Sequence, residues 1–89
     1  MNENDERNNQ LYNQKLVTII VNAKPVQVNE NTMLTHKDIV EAAYGEFVDG
    51  MTVQYTRGEW PKPSGVLFPN QVIMPVDGIV FDVVNTSKA

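Results

Sequence analysis

Few side chains in this sequence are equipped for chemistry. Of its 89 residues none is Cys and one is His. Without Cys there is no thiolate nucleophile, no disulfide framework and no sulfur-ligated metal. His36 has no second His or Cys with which to share a metal or a proton relay, so it reads as a solvated residue in a first helical turn. Glu41, Glu46 and Asp49 read as a solvated acidic face. Lys15, Lys24, Lys37, Lys62 and Lys88 carry amines that another enzyme could acylate, but nothing in their spacing separates them from solubilising residues. Trp60 lies in the Pro-rich loop Gly58-Glu59-Trp60-Pro61-Lys62-Pro63-Ser64-Gly65. An exposed Trp there could anchor a partner; the favoured reading has it folding back to cap the core. This inventory holds no catalytic residue, no metal site and no cofactor site, and so argues against an enzyme.

Charge and length narrow the classes further. The formal net charge is −4, whereas nucleic-acid binding needs clustered Lys and Arg to neutralise phosphates. Half of that charge lies in residues 1–14, where Glu3, Asp5 and Glu6 outweigh Arg7. That stretch has five Asn and, beyond Met1, only Leu11 and Tyr12 as large apolar groups, too little to offset ordering entropy, so a disordered tail is expected. The remaining 75 residues suffice for one compact core, burying ~60% of the unfolded surface, without a deep interdomain cleft. No apolar run approaches the ~20 residues of a membrane span, and residues 1–14 lack the apolar core of a signal peptide. The expectation is a cytoplasmic protein that contacts neither membrane nor nucleic acid.

The elements that must carry these residues follow from periodicity. Leu16-Val17-Thr18-Ile19-Ile20-Val21 is dense in β-branched residues and reads as a strand. Residues 26–28 alternate as a second strand, giving a hairpin. Ala23 at φ > 0 would cost ~1–2 kcal/mol, so a turn longer than two residues, or of another kind, is expected. Thr35 precedes Asp38 by three residues, an acidic capping box, and Ile39, Val40, Ala43 and Tyr44 form one helical stripe. Gly45 supplies a left-handed cap, so the helix runs from His36 to Tyr44. Residues 51–56 alternate strictly, with Met51, Val53 and Tyr55 on one face. Three prolines, Pro61, Pro63 and Pro69, rule out a helix in the following loop. Residues 71–74 form a short strand that Pro75 confines to an edge. Asp77-Gly78 signals a hairpin leading into a last strand, residues 79–84.

The order is therefore β-β-α-β-β-β. The first and last strands are the most continuously apolar, as central strands are. A first strand parallel to the last, hairpin partners outside, and one helix across one face make an α+β mixed sheet, the β-grasp arrangement of ubiquitin-like proteins. An SH3-like barrel would have no use for the capped helix. The expected core is Val17, Ile19, Val21, Val28, Ile39, Val40, Ala43, Val53, Tyr55, Ile79, Phe81 and Val83. With Val17, Ile19, Phe81 and Val83 turned toward the helix, Leu16, Ile20, Val80 and Val84 face away. They form a candidate partner-binding patch on the outer sheet face, although single exposed aliphatics on strands are common.

The strings VTIIVNAKPVQVNENTMLTHKDIVEAAYGEF, MTVQYTRG, PKPSGVLFPNQ and DGIVFDVVNTSKA resemble bacterial ubiquitin-like proteins of the multiubiquitin-domain type. The family pattern is a T-I-I-V-N-G-K-P strand and turn, then Y-x-x-G, P-K-P-x-G and D-G-x-x-F-x-V before a short polar tail. The match spans about Leu16 to Ala89, with Ala23 where the family has Gly and Trp60 inside a loop that usually reads G-x-G-P-K-P. These motifs are mostly structural punctuation.

The resemblance implies a protein modifier of a bacterial ubiquitination-like operon. Its C-terminal carboxylate is activated by an ATP-dependent, ubiquitin-activating-like enzyme and passed through a conjugating-like enzyme to target proteins, with a metal-dependent peptidase for processing or deconjugation. ATP is then used by the activating enzyme, and the modifier itself needs no cofactor. On this reading residues 1–14 are a tail, 15–85 a ubiquitin-like domain and 86–89 a flexible conjugation tail. Thr86, Ser87, Lys88 and Ala89 thread the carboxylate into a narrow channel, extended over ~13 Å. The competing reading is a β-grasp interaction module that binds its partner without a covalent bond.

Overall fold

A computed structural model describes residues 15–86. The N-terminal segment 1–14 and Ser87, Lys88 and Ala89 lie outside the described residues, and with them most of the two expected tails. In chain order the elements are β1 (Leu16–Val21), β2 (Lys24–Asn29), β3 (Leu34–Thr35), α1 (His36–Tyr44), β4 (Met51–Thr56), β5 (Gly65–Leu67), β6 (Val72–Ile73) and β7 (Val80–Asn85). Five strands form one mixed sheet, ordered β2-β1-β7-β4-β5, and β3 pairs with β6 in a separate two-stranded ribbon. The first and last strands run parallel, with Ile20 opposite Val80 and Val21 opposite Phe81. The remaining pairs of the main sheet are antiparallel. One helix on such a sheet makes the chain α+β and β-grasp-like.

The helix is built as its sequence dictates. Thr35 Oγ1 accepts from the Asp38 amide at 3.1 Å, and the Thr35 amide donates to Asp38 Oδ2 at 3.0 Å, a complete capping box. Gly45, at φ 82°, closes the other end with its amide donating to the Glu41 carbonyl at 2.7 Å. Left-handed backbone costs glycine nothing, which is why the helix stops there. Ile39 and Val40 are fully buried. Ala43 is partly buried against the core, while Tyr44 is exposed and reaches the Val83 carbonyl through its hydroxyl at 3.5 Å.

The first hairpin departs from expectation. Val21 pairs with Lys24, so the turn has two residues, with Asn22 at φ 48° and Ala23 at φ 68°. Two consecutive positive φ angles match the twist of the strands, as in the primed hairpin turns. The strain at Ala23 is offset from outside the hairpin. Asn22 Oδ1 accepts from the Val83 amide at 2.8 Å, and Asn22 Nδ2 donates to the Val83 carbonyl at 3.4 Å. The side-chain amide thus continues the β1–β7 ladder past the point where β1 turns away.

Two strands were not expected. Gly65–Leu67 pairs with β4 and places Leu67 opposite Val53, and Leu34–Thr35 pairs with Val72–Ile73. Both are too short for a periodic signal, and their neighbours create them. Asp77-Gly78 does form a tight turn, with Gly78 at φ 86°, but it joins no hairpin, because β6 is claimed by β3 and β7 by β1 and β4. The turn clips onto β1 instead: Asp77 Oδ1 accepts from the Thr18 amide at 2.8 Å, and the Gly78 amide donates to the Thr18 carbonyl at 2.7 Å. The buried core contains ten of the twelve expected residues; Val28 and Ala43 are only partly buried, and Leu34 and Leu67 join it. Its centre is Phe81, stacked at a tilt on Tyr55 with ring centroids 6.4 Å apart.

Candidate functional site

The last strand ends at a firm anchor. Beyond Asn85, the Thr86 amide donates to the Gly50 carbonyl at 2.9 Å, and its hydroxyl is hydrogen-bonded to that of Thr52. Thr86, expected as the first residue of a flexible tail, is tied to the start of β4. The reason is the register of β4 on β7, which sets Met51 opposite Asn85 and carries the ladder one residue further.

On the sheet face away from the helix, the register separates the four residues expected to form a patch. Ile20 and Val80 are direct neighbours and partly buried. Leu16 lies four residues before Ile20, and Val84 four after Val80, with Thr18 and Asp82 between. At ~3.3 Å per residue the two ends stand about 26 Å apart. Leu16 and Val84 are 59% and 43% exposed. Apolar contact on this face is thus a central pair with two outliers, not one continuous patch.

Trp60 is 83% exposed and does not cap the core. Its loop closes without it. The Gly58 amide donates to the Pro63 carbonyl at 2.7 Å, and the Lys62 amide to the Glu59 carbonyl at 3.1 Å. Tyr55 fills the space under the loop: a Cβ at Gly58 would come within 3.3 Å of its ring, and one at Gly65 within 3.1 Å of its hydroxyl. With that space taken, the indole is held outward. The sequence signal that could have shown this is the pair of glycines flanking the loop.

His36 is buried, not solvated. It extends the helical stripe one turn toward the N-terminus, at three and four residues before Ile39 and Val40, a spacing that sequence reasoning overlooked. Its Nε2 lies 2.9 Å from the Met51 carbonyl oxygen. A carbonyl only accepts, so Nε2 carries the proton and His36 links the start of α1 to the start of β4. Glu41, Glu46 and Asp49 are exposed. Among the described residues no three His, Cys, Asp or Glu side chains converge as metal ligands would. Lys24 Nζ reaches the Ala43 carbonyl at 3.4 Å, putting a cation at the end of the helix where carbonyls gather. Lys15, Lys37 and Lys62 are exposed.

A cavity of about 480 Å³ opens beside this junction, lined by His36, Phe47, Met51, Pro69 and Thr86 and by the exposed Lys37 and Asp49. Phe47 is 45% exposed although it belongs to no strand or helix. Sequence reading passed over the cavity because its walls come from four separate segments, and Phe47 and Pro69 sit in loops where no periodicity marks them. No helix among the described residues is long and apolar enough to cross a membrane. No protein-family model matches the chain, nor does any curated protein or solved structure.

Proposed function

We propose that this chain is a ubiquitin-like protein modifier of the bacterial multiubiquitin-domain type, activated at its C-terminal carboxylate by an ATP-dependent enzyme in the cytoplasm. The observation that carries the reading is the anchoring of Thr86. A modifier must deliver a short, polar, small-residue segment from a rigid base, and here the β7 ladder and the Gly50 and Thr52 bonds hold that base to the last described residue. The β-grasp-like fold and the family-like strings support the same reading.

In this role the chain supplies no catalytic group. The C-terminal carboxylate attacks ATP at its α-phosphorus on the activating enzyme, releasing pyrophosphate and leaving an acyl adenylate. An enzyme nucleophile then displaces AMP, and the acyl group passes through a conjugating enzyme to an amine or other nucleophile on the target. A peptidase reverses or prepares the bond. The test is mass spectrometry of the chain mixed with its cognate activating and conjugating enzymes. The expected result is an ATP-dependent adduct joined through the C-terminal carboxylate. Its absence, with both partner enzymes active, refutes conjugation.

A second reading, a β-grasp interaction module without covalent attachment, is favoured by Trp60, whose high exposure on a braced loop suits an anchor for a protein partner. Partner binding that survives without ATP, is lost in Trp60→Ala and never yields an adduct would select it.

A further inference from the structure

Another cavity, of about 310 Å³, is lined by residues of both β5 and β6. The geometry points to it as a binding site for a carboxylate carried on a short apolar body, a site independent of the conjugation reading. Tyr55 lines this cavity and is only 7% exposed, yet no hydrogen bond among the described residues takes up its hydroxyl. A phenol hidden to that extent ordinarily has a partner. Every fully buried side-chain nitrogen or oxygen among the described residues does have one, so this hydroxyl opens onto the cavity instead. It shares that opening with Lys62: a Cβ on Gly65 would lie 3.1 Å from the hydroxyl oxygen and 3.2 Å from Cε of Lys62. Glycine within a strand marks a place where another group approaches closely. Here its bare backbone leaves the O–H and the ammonium uncovered, side by side.

The polar groups set the sign of the ligand. Lys62 makes no ion pair among the described residues. Gln71 has its Oε1 engaged by the Phe68 amide at 3.1 Å, so its NH2 is what it has left to give. Three side-chain donors therefore line the cavity and no Asp or Glu does, in a chain whose net charge is −4. The cavity beside Thr86, by contrast, carries Asp49. One cation balances one negative charge, as on a carboxylate; a phosphate monoester, at about −1.5 to −2, would be left under-neutralised. One carboxylate oxygen accepts the Tyr55 O–H and the other faces the Lys62 ammonium. Val66, Val72 and Ile73 supply an apolar wall for the carbon body. β5 is the outer strand of the sheet, so a peptide ending in this cavity would also find unpaired ladder groups, which a free acid would not use.

The experiment is a titration of the isotope-labelled full chain, read by backbone amide shifts, with isocaproate and with its uncharged analogue isocaproamide. Isocaproate should shift Gly65, Val66, Val72 and Ile73 saturably. Isocaproamide should bind about tenfold more weakly or worse, since a hydrogen bond to a charged acceptor is worth at least that factor. Tyr55→Phe keeps the ring against Phe81 and removes only the hydroxyl. It should weaken isocaproate about tenfold and leave the urea midpoint unchanged, because the hydroxyl holds nothing in the fold. Lys62→Gln should weaken it by a similar factor, whereas Phe47→Ser, in the other cavity, should not. Acetyl-glycyl-leucine with a free carboxylate separates the two carriers: binding about tenfold tighter than isocaproate assigns the site to a peptide end, and equal or weaker binding to a free acid. No saturable shift with either carboxylate overturns the site. So does equal affinity for isocaproate and isocaproamide, or undiminished binding by Tyr55→Phe.

Discussion

Replacing Ala23 by Gly should make this protein more stable. Ala23 is held at φ 68° in a two-residue turn. In that region an L-residue's Cβ crowds the following carbonyl, at a cost of ~1–2 kcal/mol. Gly removes the clash but loses more backbone freedom on folding, a penalty of ~0.5–1 kcal/mol. Ala23 is exposed, so its methyl forfeits no packing when deleted. The difference leaves a net gain of roughly 0.5–1 kcal/mol for Ala23→Gly. In a domain this small each kcal/mol moves Tm by ~4–8 °C, so a rise of about 2–8 °C is expected. Far-UV circular dichroism reads it, in thermal melts and in urea; Trp60 is too exposed to report on folding by fluorescence. Ala23→Val, β-branched at a positive φ, should move Tm downward in the same assay. A Tm for Ala23→Gly equal to or below that of the unaltered chain would refute the strain argument and mean that the entropy of Gly outweighs the clash.

Other perturbations have equally definite outcomes. Thr35→Ala removes one arm of the capping box and should cost ~1 kcal/mol in urea unfolding. His36→Ala leaves the Met51 carbonyl without its donor at a part-buried site, and a loss of ~1–3 kcal/mol is expected by the same method. On the conjugation reading, Ile20→Asp combined with Val84→Asp should keep the circular dichroism spectrum, because both residues face away from the core, while weakening binding to the proposed activating enzyme; full binding by the double variant would clear this face of that role. Trp60→Ala should change stability by less than ~0.5 kcal/mol, since the indole packs on nothing that the fold needs.

Most of the fold was legible because most of it is periodic. The helix ends where Thr35, Asp38 and Gly45 say it should, and the strand alternation in β1, β4 and β7 sorted inward from outward residues correctly. What escaped reading depends on partners distant in the chain. Ala23 tolerates its backbone because Asn22 is bonded to Val83, a residue 61 positions away. Val72–Ile73 pairs with Leu34–Thr35, which no local pattern announces, and this diverts Asp77-Gly78 from making a hairpin. Trp60 misled because hydrophobicity argues for burial, whereas Tyr55 already occupies the space beneath the loop. Of the candidate site, the terminal strand was legible from its apolar run. The cavity was not, since Phe47, Pro69 and Thr86 meet only in three dimensions.

The place of β7 has a consequence for biosynthesis. The β1–β2 hairpin and the β4–β5 hairpin are local structures that a growing chain can form early, yet in the sheet they share no ladder. β7, the last of the described strands to be translated, is the keystone between them, parallel to one and antiparallel to the other. Joining them closes a loop of some sixty residues, the slow, non-local step that limits folding in sheets of this kind. A truncated chain without β7 therefore cannot join its two halves into one sheet. The strand that seals the fold is also the one that leads into Thr86, so a chain truncated before it loses both the sheet and the anchor of Thr86 on Gly50 and Thr52.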